Sequence, residues 1–329
     1  MSSENQELKM QLYFVNVGYG ESIVIKNAEK AIVIDGGPDD KETYEEKGTI
    51  RLHEFLKKIE ITTIEAMILT HLHYDHVGGL YKAASCFPVK NFYTGLITEI
   101  APQAVSYINE NLKENISTFM RGISIYEKLL KTLTQNKVTC CEISKEDRLS
   151  FFDGQVQIQT LGISKDALLK RKNMLKKAFL DYQNPDSQKI LLKFDKSENL
   201  FSLAQFVTVK NRSFMLTADQ SGIARFADEL QRSNVVKLTH HGQIDGMPPC
   251  LIDICKPSFF VICADINRTY NSARPEIVAA AQDFLNKESI AGKVFITGML
   301  NKSFPFNKEV CAVGFDCTKD LTYFPVIKN

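Results

Sequence analysis

The sequence predicts an α/β fold in which two sheets pack together with helices outside them. Three observations carry that prediction. Short apolar runs of strand length recur through both halves of the chain, among them QLYFVNV, KAIVIDGG and SFFVICADI, with helix-like stretches between them. Strands dominate both halves without a short-period repeat, which suits two packed sheets better than one parallel sheet. No Gly/Ser/Pro linker divides the 329 residues, so one domain over 1–329 is expected.

Taken in order, QLYFVNV, SIVIKN and KAIVIDGG read as strands, and 39–59 reads as a helix with Leu52, Phe55, Leu56 and Ile59 on one face. Residues 66–70, Ala-Met-Ile-Leu-Thr, form a short buried strand. Gly78 and Gly79 break the chain soon afterwards, so His71, His73, Asp75 and His76 are expected on a loop at a strand end. A strand at 89–94 follows, then a helical insertion at 101–136. KVTCCEIS and LSFFDGQVQIQTLGI return to strands, 164–183 forms a second helical insertion, and 190–194 and 203–210 read as strands. RSFMLTAD, NVVKLTHHG and SFFVICADI are further strands, followed by a helix at 275–285 and the strand KVFITGM.

Composition narrows the partners. With 44% apolar and 24% charged residues the chain is globular rather than disordered or fibrous. A formal charge of +1 provides no global field toward nucleic acid or membrane, so any basic surface must be local. The N-terminal MSSENQELKMQLYFVNV lacks the basic start and apolar run of a signal peptide, and no apolar stretch approaches a membrane span. A cytoplasmic protein without a membrane partner is expected. The eight cysteines mostly lie in apolar segments without paired zinc spacing, which reads as reduced thiols.

The chemistry is concentrated in THLHYDHVGGL, where three of the chain's six histidines surround an aspartate. In extended backbone, residues two apart point to the same side, so His71 and His73 reach one ion while Asp75 and His76 turn toward a neighbour. Two more strand runs end in suitable ligands: Asp219 closes MLTAD, and His240 and His241 close VVKLTHHG. Imidazoles and carboxylates around an open position suit hydrolytic zinc chemistry, with manganese or iron as substitutes. Neither GxSxG, SxxK nor a cysteine–histidine arrangement offers a rival nucleophile.

THLHYDHVGGL resembles the signature of the metallo-β-lactamase superfamily, whose members fold as a four-layer αβ/βα sandwich with metals at one sheet edge. NVGYGESIVI and VIDGG resemble its opening strands. The order NVGYGES, THLHYDH, LTAD, KLTHHG is similar to the hydrolase domain of ComEC-type DNA-uptake proteins and related soluble phosphoesterases, and ADINRTYNSARPEIV resembles a late element of that subgroup. The resemblance implies one or two zinc ions. His71 and His73 would hold the first, Asp75 and His76 the second, with Asp219 bridging and one of His240 or His241 on the second metal. His240, first off the strand, is preferred. Asp35 would buttress the ligand loop through hydrogen bonds. A water between the ions would become hydroxide near neutral pH and attack phosphorus or carbonyl carbon, with Asp75 able to hold its proton.

Three departures from the pattern stand out. No histidine lies between His76 and His240, where the superfamily supplies another ligand to the first metal; Asn199 is the candidate stand-in. Ser272-Ala273 replaces a His-Pro, and Tyr19 replaces a glutamine, which bears on substrate contacts. Lys165, Lys170, Arg171, Lys172, Lys176 and Lys177 crowd one predicted helix that could guide a polyanion, and Arg268 and Arg274 could neutralise a phosphate. The expected activity is therefore a metal-dependent phosphodiesterase or nuclease. A hydrolase of a small ester, lactone or thioester on the same metals is the alternative, as is a metal-binding protein with reduced or no catalysis.

Overall fold

Apolar residues at both faces of nearly every strand force the chain into layers. A computed structural model describes residues 9–98, 103–106, 117–304 and 308–328. The first sheet runs in the order β15 (Thr322–Ile327), β14 (Val310–Asp316), β1 (Met10–Val15), β2 (Ile23–Asn27), β3 (Lys30–Ile34), β4 (Thr63–Leu69), β5 (Val89–Thr94), β6 (Thr139–Glu142). The second runs β13 (Lys293–Ile296), β12 (Phe259–Ile262), β11 (Val235–Lys237), β10 (Arg212–Leu216), β9 (Ala204–Val209), β8 (Val156–Leu161), β7 (Arg148–Phe151). Each sheet is antiparallel at one end and parallel at the other: β3 to β6 are parallel, and so are β10 to β13.

Alternation along the strands builds the sandwich. Leu12 and Phe14 of β1 face inward with Ile32, Ile68, Val207, Phe214, Val261 and Phe295 to fill the space between the sheets. Tyr13 and Val15 point the other way, into a layer with α1 (Leu52–Lys58), α2 (Tyr74–Cys86) and α3 (Ser117–Gln135). Two further helices, α4 (Lys165–Leu180) and α5 (Pro185–Lys196), join that layer through Leu175, Phe179, Leu191 and Phe194. On the far side α6 (Pro249–Cys255) and α7 (Pro275–Lys287) cover the second sheet through Leu251, Ile277, Ala281 and Leu285. The result is the four-layer αβ/βα sandwich with helical additions.

Two local expectations change, and a third is seen only in part. The 39–59 helix reduces to α1 and a 3₁₀ turn at Glu42–Glu45, because the chain turns between them through Gly48 at φ +79°. Residues 190–194 are not a strand: they lie inside α5, which Asn184 caps and Pro185 opens, with Leu191 and Phe194 buried one helical turn apart. Of the 101–136 insertion, 117–135 is helical, while 101–102 and 107–116 lie outside the described residues. The eight cysteines are free thiols, four of them buried.

Gly78 and Gly79 do not end a loop. They sit inside α2 and let its first turns lie backbone to backbone on the segment after β3, where the Gly79 amide donates to Gly37 O at 2.8 Å. A Cβ on Gly79 would stand 2.1 Å from Gly36 O, and one on Gly78 2.7 Å from the Asp39 amide nitrogen. Gly79→Ala should therefore cost about 1–3 kcal/mol or more. A lowered urea midpoint checks this, and an unchanged midpoint would mean that α2 shifts without strain.

Candidate metal centre

Parallel strands deliver their C-terminal ends to one edge, and there the sandwich collects its polar residues. Asp35 follows β3, His71 and His73 follow β4, Asp219 follows β10 and His241 follows β11. Asp75 and His76 come from the first turn of α2 rather than from a loop.

Four imidazoles converge. His71 Nε2 lies 3.1 Å from His73 Nδ1, and His76 Nε2 lies 3.4 Å from His241 Nε2. Asp219 sits among them: its Oδ1 is 3.4 Å from His76 Nε2, and its Oδ2 is 3.2 Å from His241 Nε2 and 3.9 Å from His71 Nε2. Asp75 Oδ2 reaches His241 Nε2 at 3.2 Å. Donor atoms of His71, His76 and Asp219 lie within 4.8 Å of one another, and those of Asp75, His76 and His241 form a second such group.

The nitrogens that face away from the centre are tied down. Asp35, fully buried, accepts from the Thr70 amide at 2.9 Å, from Thr70 Oγ1 at 2.7 Å and from His76 Nδ1 at 2.7 Å. His71 Nδ1 lies 3.0 Å from Thr70 Oγ1 and 3.2 Å from Ser202 Oγ. His241 Nδ1 donates to Cys263 O at 2.8 Å. Such contacts fix which nitrogen of each ring faces inward.

His240 does not join the cluster. Its Nδ1 faces Asp245 at 3.1 Å, and its Nε2 accepts from Asn199 Nδ2 at 2.9 Å. The physical reason lies in the backbone. After β11 the chain leaves the extended conformation, and both His240 and His241 take left-handed φ values of +49° and +53°. Order along the strand therefore says nothing about which ring turns inward. Asn199 lines the cleft with its Oδ1 buried and unbonded among the described residues.

Several residues went unassigned at the sequence level. Lys237, buried under Asp219, has its Nζ 3.8 Å from Asp219 Oδ1, donates to Ala218 O at 2.7 Å and pairs with buried Glu21. Both residues stand in the NVGYGES and VVKLTHHG motifs, so the signal was present. Asp195 lies near the end of α5 and Glu198 just after it, both immediately beyond 190–194. Glu198 Oε1 accepts from the Leu72 amide at 2.8 Å, between the two ligand histidines, and Oε2 pairs with Arg171. Arg171 is thus buried, stacked 3.5 Å from the Phe194 ring, instead of offered to a polyanion. Lys172 pairs with Glu142 at 2.7 Å. Arg274 faces Glu276 at 3.4 Å, Arg268 is exposed, and neither lines the cleft. Tyr19 donates to Asp40 Oδ2 at 3.1 Å and meets Tyr270 edge-on, with ring centres 5.9 Å apart.

The residues fit a divalent metal. Asp219 Oδ1 is buried with no well-formed hydrogen bond to satisfy it, beside nitrogens that can donate lone pairs. Burial opposes charge on Asp219, but His241 and His76 outweigh it and hold the carboxyl well below its ordinary range. Burial likewise opposes charge on His76 and His241, yet Asp219 and its neighbours raise both, His241 to about 9. His71 moves the other way, lowered by burial and by the adjacent imidazoles His76 and His73. The centre opens on a cleft of about 470 Å³ lined by His73, Asp75, Asp195, Tyr270 and Asn271 among others.

Residues 15–131 match the family model described as Metallo-beta-lactamase superfamily, a span that includes His71 to His76 but neither Asp219 nor His241. The chain is also similar to the metallo-beta-lactamase fold protein YhfI from Bacillus subtilis, at 10% identity over 87% of this chain and 96% of that one, TM-score 0.43. Zn(2+)-bound PqqB from Methylobacterium extorquens aligns at 9% identity over 87% and 97%, TM-score 0.44. No curated protein compared with the chain matches it. The matched span, the paired sheets and the ligand cluster define the class of protein: a metal-dependent hydrolase of the metallo-beta-lactamase fold. No helix among the described residues is long and apolar enough to cross a membrane.

Metal ligation requires His76 and His241 to give up protons that the metal-free cluster holds. Zinc affinity measured by chelator competition should therefore climb as pH rises through the His241 value of about 9. The metal-free protein should do the opposite. A raised histidine contributes fully below its unfolded value of 6.5, and that stability is lost as pH rises through about 9. Urea midpoints of metal-free protein that stay level over that range would contradict this.

Proposed function

We propose that this hydrolase is a phosphodiesterase acting on nucleic acid. The observation that carries the reading is the adjacency of two ligand groups, His71–His76–Asp219 and Asp75–His76–His241, which share His76 and meet one open cleft through Asp75, Asp219 and His241. Two such sites can clamp the attacking and leaving oxygens of an in-line displacement at phosphorus. The resemblance of the motif order NVGYGES, THLHYDH, LTAD, KLTHHG to ComEC-type hydrolase domains supports the same chemistry.

When bound, divalent metal supplies an acidified water and positive charge for the developing oxyanion. His71, His73 and Asp219 would hold one ion, and Asp75, His76, Asp219 and His241 the other. Asp75 opens on the cleft and stays anionic: His76 and His241 overcome the cost of burying it and lower its pKa. Its carboxylate can take the proton released by the nucleophile. Lys237 sits beneath Asp219, where burial would strip its charge but Glu21 and Asp219 hold it on. Tyr270, 59% exposed beside Tyr19, offers a ring on which a base could stack.

One observation favours the second reading, a small ester, lactone or thioester. No lysine or arginine lines the cleft among the described residues, since Arg171, Lys172 and Arg274 are engaged with Glu198, Glu142 and Glu276. Lys165, Lys170, Lys176 and Lys177 remain exposed on α4.

Zinc- or manganese-loaded protein should hydrolyse bis(p-nitrophenyl) phosphate and single-stranded DNA, and Asp219→Asn should remove both activities. Replacing Lys170, Lys176 and Lys177 with Gln should raise KM for the oligonucleotide and flatten its salt dependence by somewhat under one log–log unit per lost phosphate contact. The kcat on the small diester should not change. Turnover of p-nitrophenyl acetate or a thioester without turnover of either diester would move the assignment to the second reading. Zinc uptake with no turnover of any of these would point to a metal-binding role.

Arg171→Gln has a different expected outcome. It leaves Glu198 buried without its partner, a change that costs about 3–5 kcal/mol. A large drop in the urea midpoint would separate this bracing role from substrate capture.

A further inference from the structure

Each imidazole of the centre turns one nitrogen inward and one outward, and for three of them the outward partner is clear. His71 Nδ1 meets Thr70 and Ser202, His76 Nδ1 meets Asp35, and His241 Nδ1 meets Cys263 O. His73 is reversed: its Nδ1 points inward, 3.1 Å from His71 Nε2, which leaves Nε2 as the outward atom. The group facing that atom is Asp195 Oδ1, 3.6 Å away at the C-terminal end of α5. Its side chain is about one-fifth exposed, with 22% of its surface accessible, so it stands at the wall of the cleft rather than in the core.

We propose that Asp195 is the positioning residue for the His71–His73 half of the centre, accepting the Nε2 proton of His73 and so presenting its Nδ1 lone pair to the metal. Inference of this role rests on the metal-centre reading above. The helical addition α4–α5 grips the same half of the site a second time, because Glu198, three residues beyond Asp195, holds the Leu72 amide between His71 and His73. This half of the centre lacks the additional imidazole that the sequence pattern leads one to expect. A ring held by a carboxylate is also a more basic ligand. Asp195 thus strengthens one of the few imidazoles this half retains. The segment contributing it is one that the strand and histidine motifs do not contain.

Asp195→Ala and Asp195→Asn test the proposal, with zinc as the probe and chelator competition resolving the two binding steps. Asp195→Ala should weaken one step by about 10–100-fold, the range for losing an outer partner of a ligand histidine, and leave the other unchanged. Asp195→Asn retains an acceptor oxygen and should recover most of the loss. The urea midpoint of metal-free protein should be the same in all three, since the side chain sits at the cleft wall. Nitrogen-resolved NMR of zinc-loaded wild type should show the proton of His73 on Nε2. Unchanged zinc affinities in Asp195→Ala, an equal loss at both steps, or a fallen metal-free midpoint would each overturn the assignment. So would an Asn variant as weak as Ala, which would mean that the carboxylate binds metal itself. Wild-type protein that takes up no zinc would overturn the metal-centre reading as well, and that result is distinct from the others.

Discussion

The carboxylate of Asp219 is the constraint around which the rest of the centre is arranged. It follows β10 of the second sheet and is almost fully buried, yet its oxygens face His71 just beyond β4 of the first sheet, His76 from α2 and His241 from its own sheet's edge. A buried carboxylate must be paired or must bind a cation. Here it is surrounded by groups that do the first without metal and the second with it. The two halves of the sandwich are therefore joined by an electrostatic requirement at their edge as well as by the apolar layer between them.

That requirement explains the depth of the supporting network. Asp35 ties His76 and Thr70 together, Thr70 and Ser202 fix His71, and the Asp219 amide donates to Ser202 Oγ at 3.2 Å. Lys237 and Glu21 carry compensating charges beneath. Left-handed backbone appears at Asp35, Ala218, His240 and His241, all at strand ends around the site. Non-glycine residues hold that conformation at some cost, and such strain collects where side chains must be aimed.

The α4–α5 segment changes how its basic residues are understood. Arg171 turns inward to Glu198 and stacks on Phe194 and Phe201, so one of the charges that suggests a polyanion surface instead braces the ligand loop. The lysines beside it stay exposed, and the same helix thus has an inner structural face and an outer charged one. Leu169 and Met174, about half exposed, show that this outer face is not purely polar.

By itself the sequence determined the layered α/β class, because strand-length apolar runs buried on both faces have few other ways to pack. It also determined the histidine loop, Asp219 and the edge on which they meet, since each ends an apolar run. Asp35 came only with the family resemblance carried by VIDGG, and not from the strand pattern. Tertiary structure decided the rest. Whether His240 or His241 turns inward depends on a left-handed turn that no periodicity encodes. Whether Gly78 and Gly79 break a helix or let it approach another backbone depends on what lies opposite, which here is the 36–39 segment. The roles of Asp195, Glu198 and Arg171 follow from a helix docking beside the ligand loop, and contacts between Leu72 and Glu198 span 126 residues. Local pattern reaches only the residue's own element; partners that far apart are chosen by the packing of the whole.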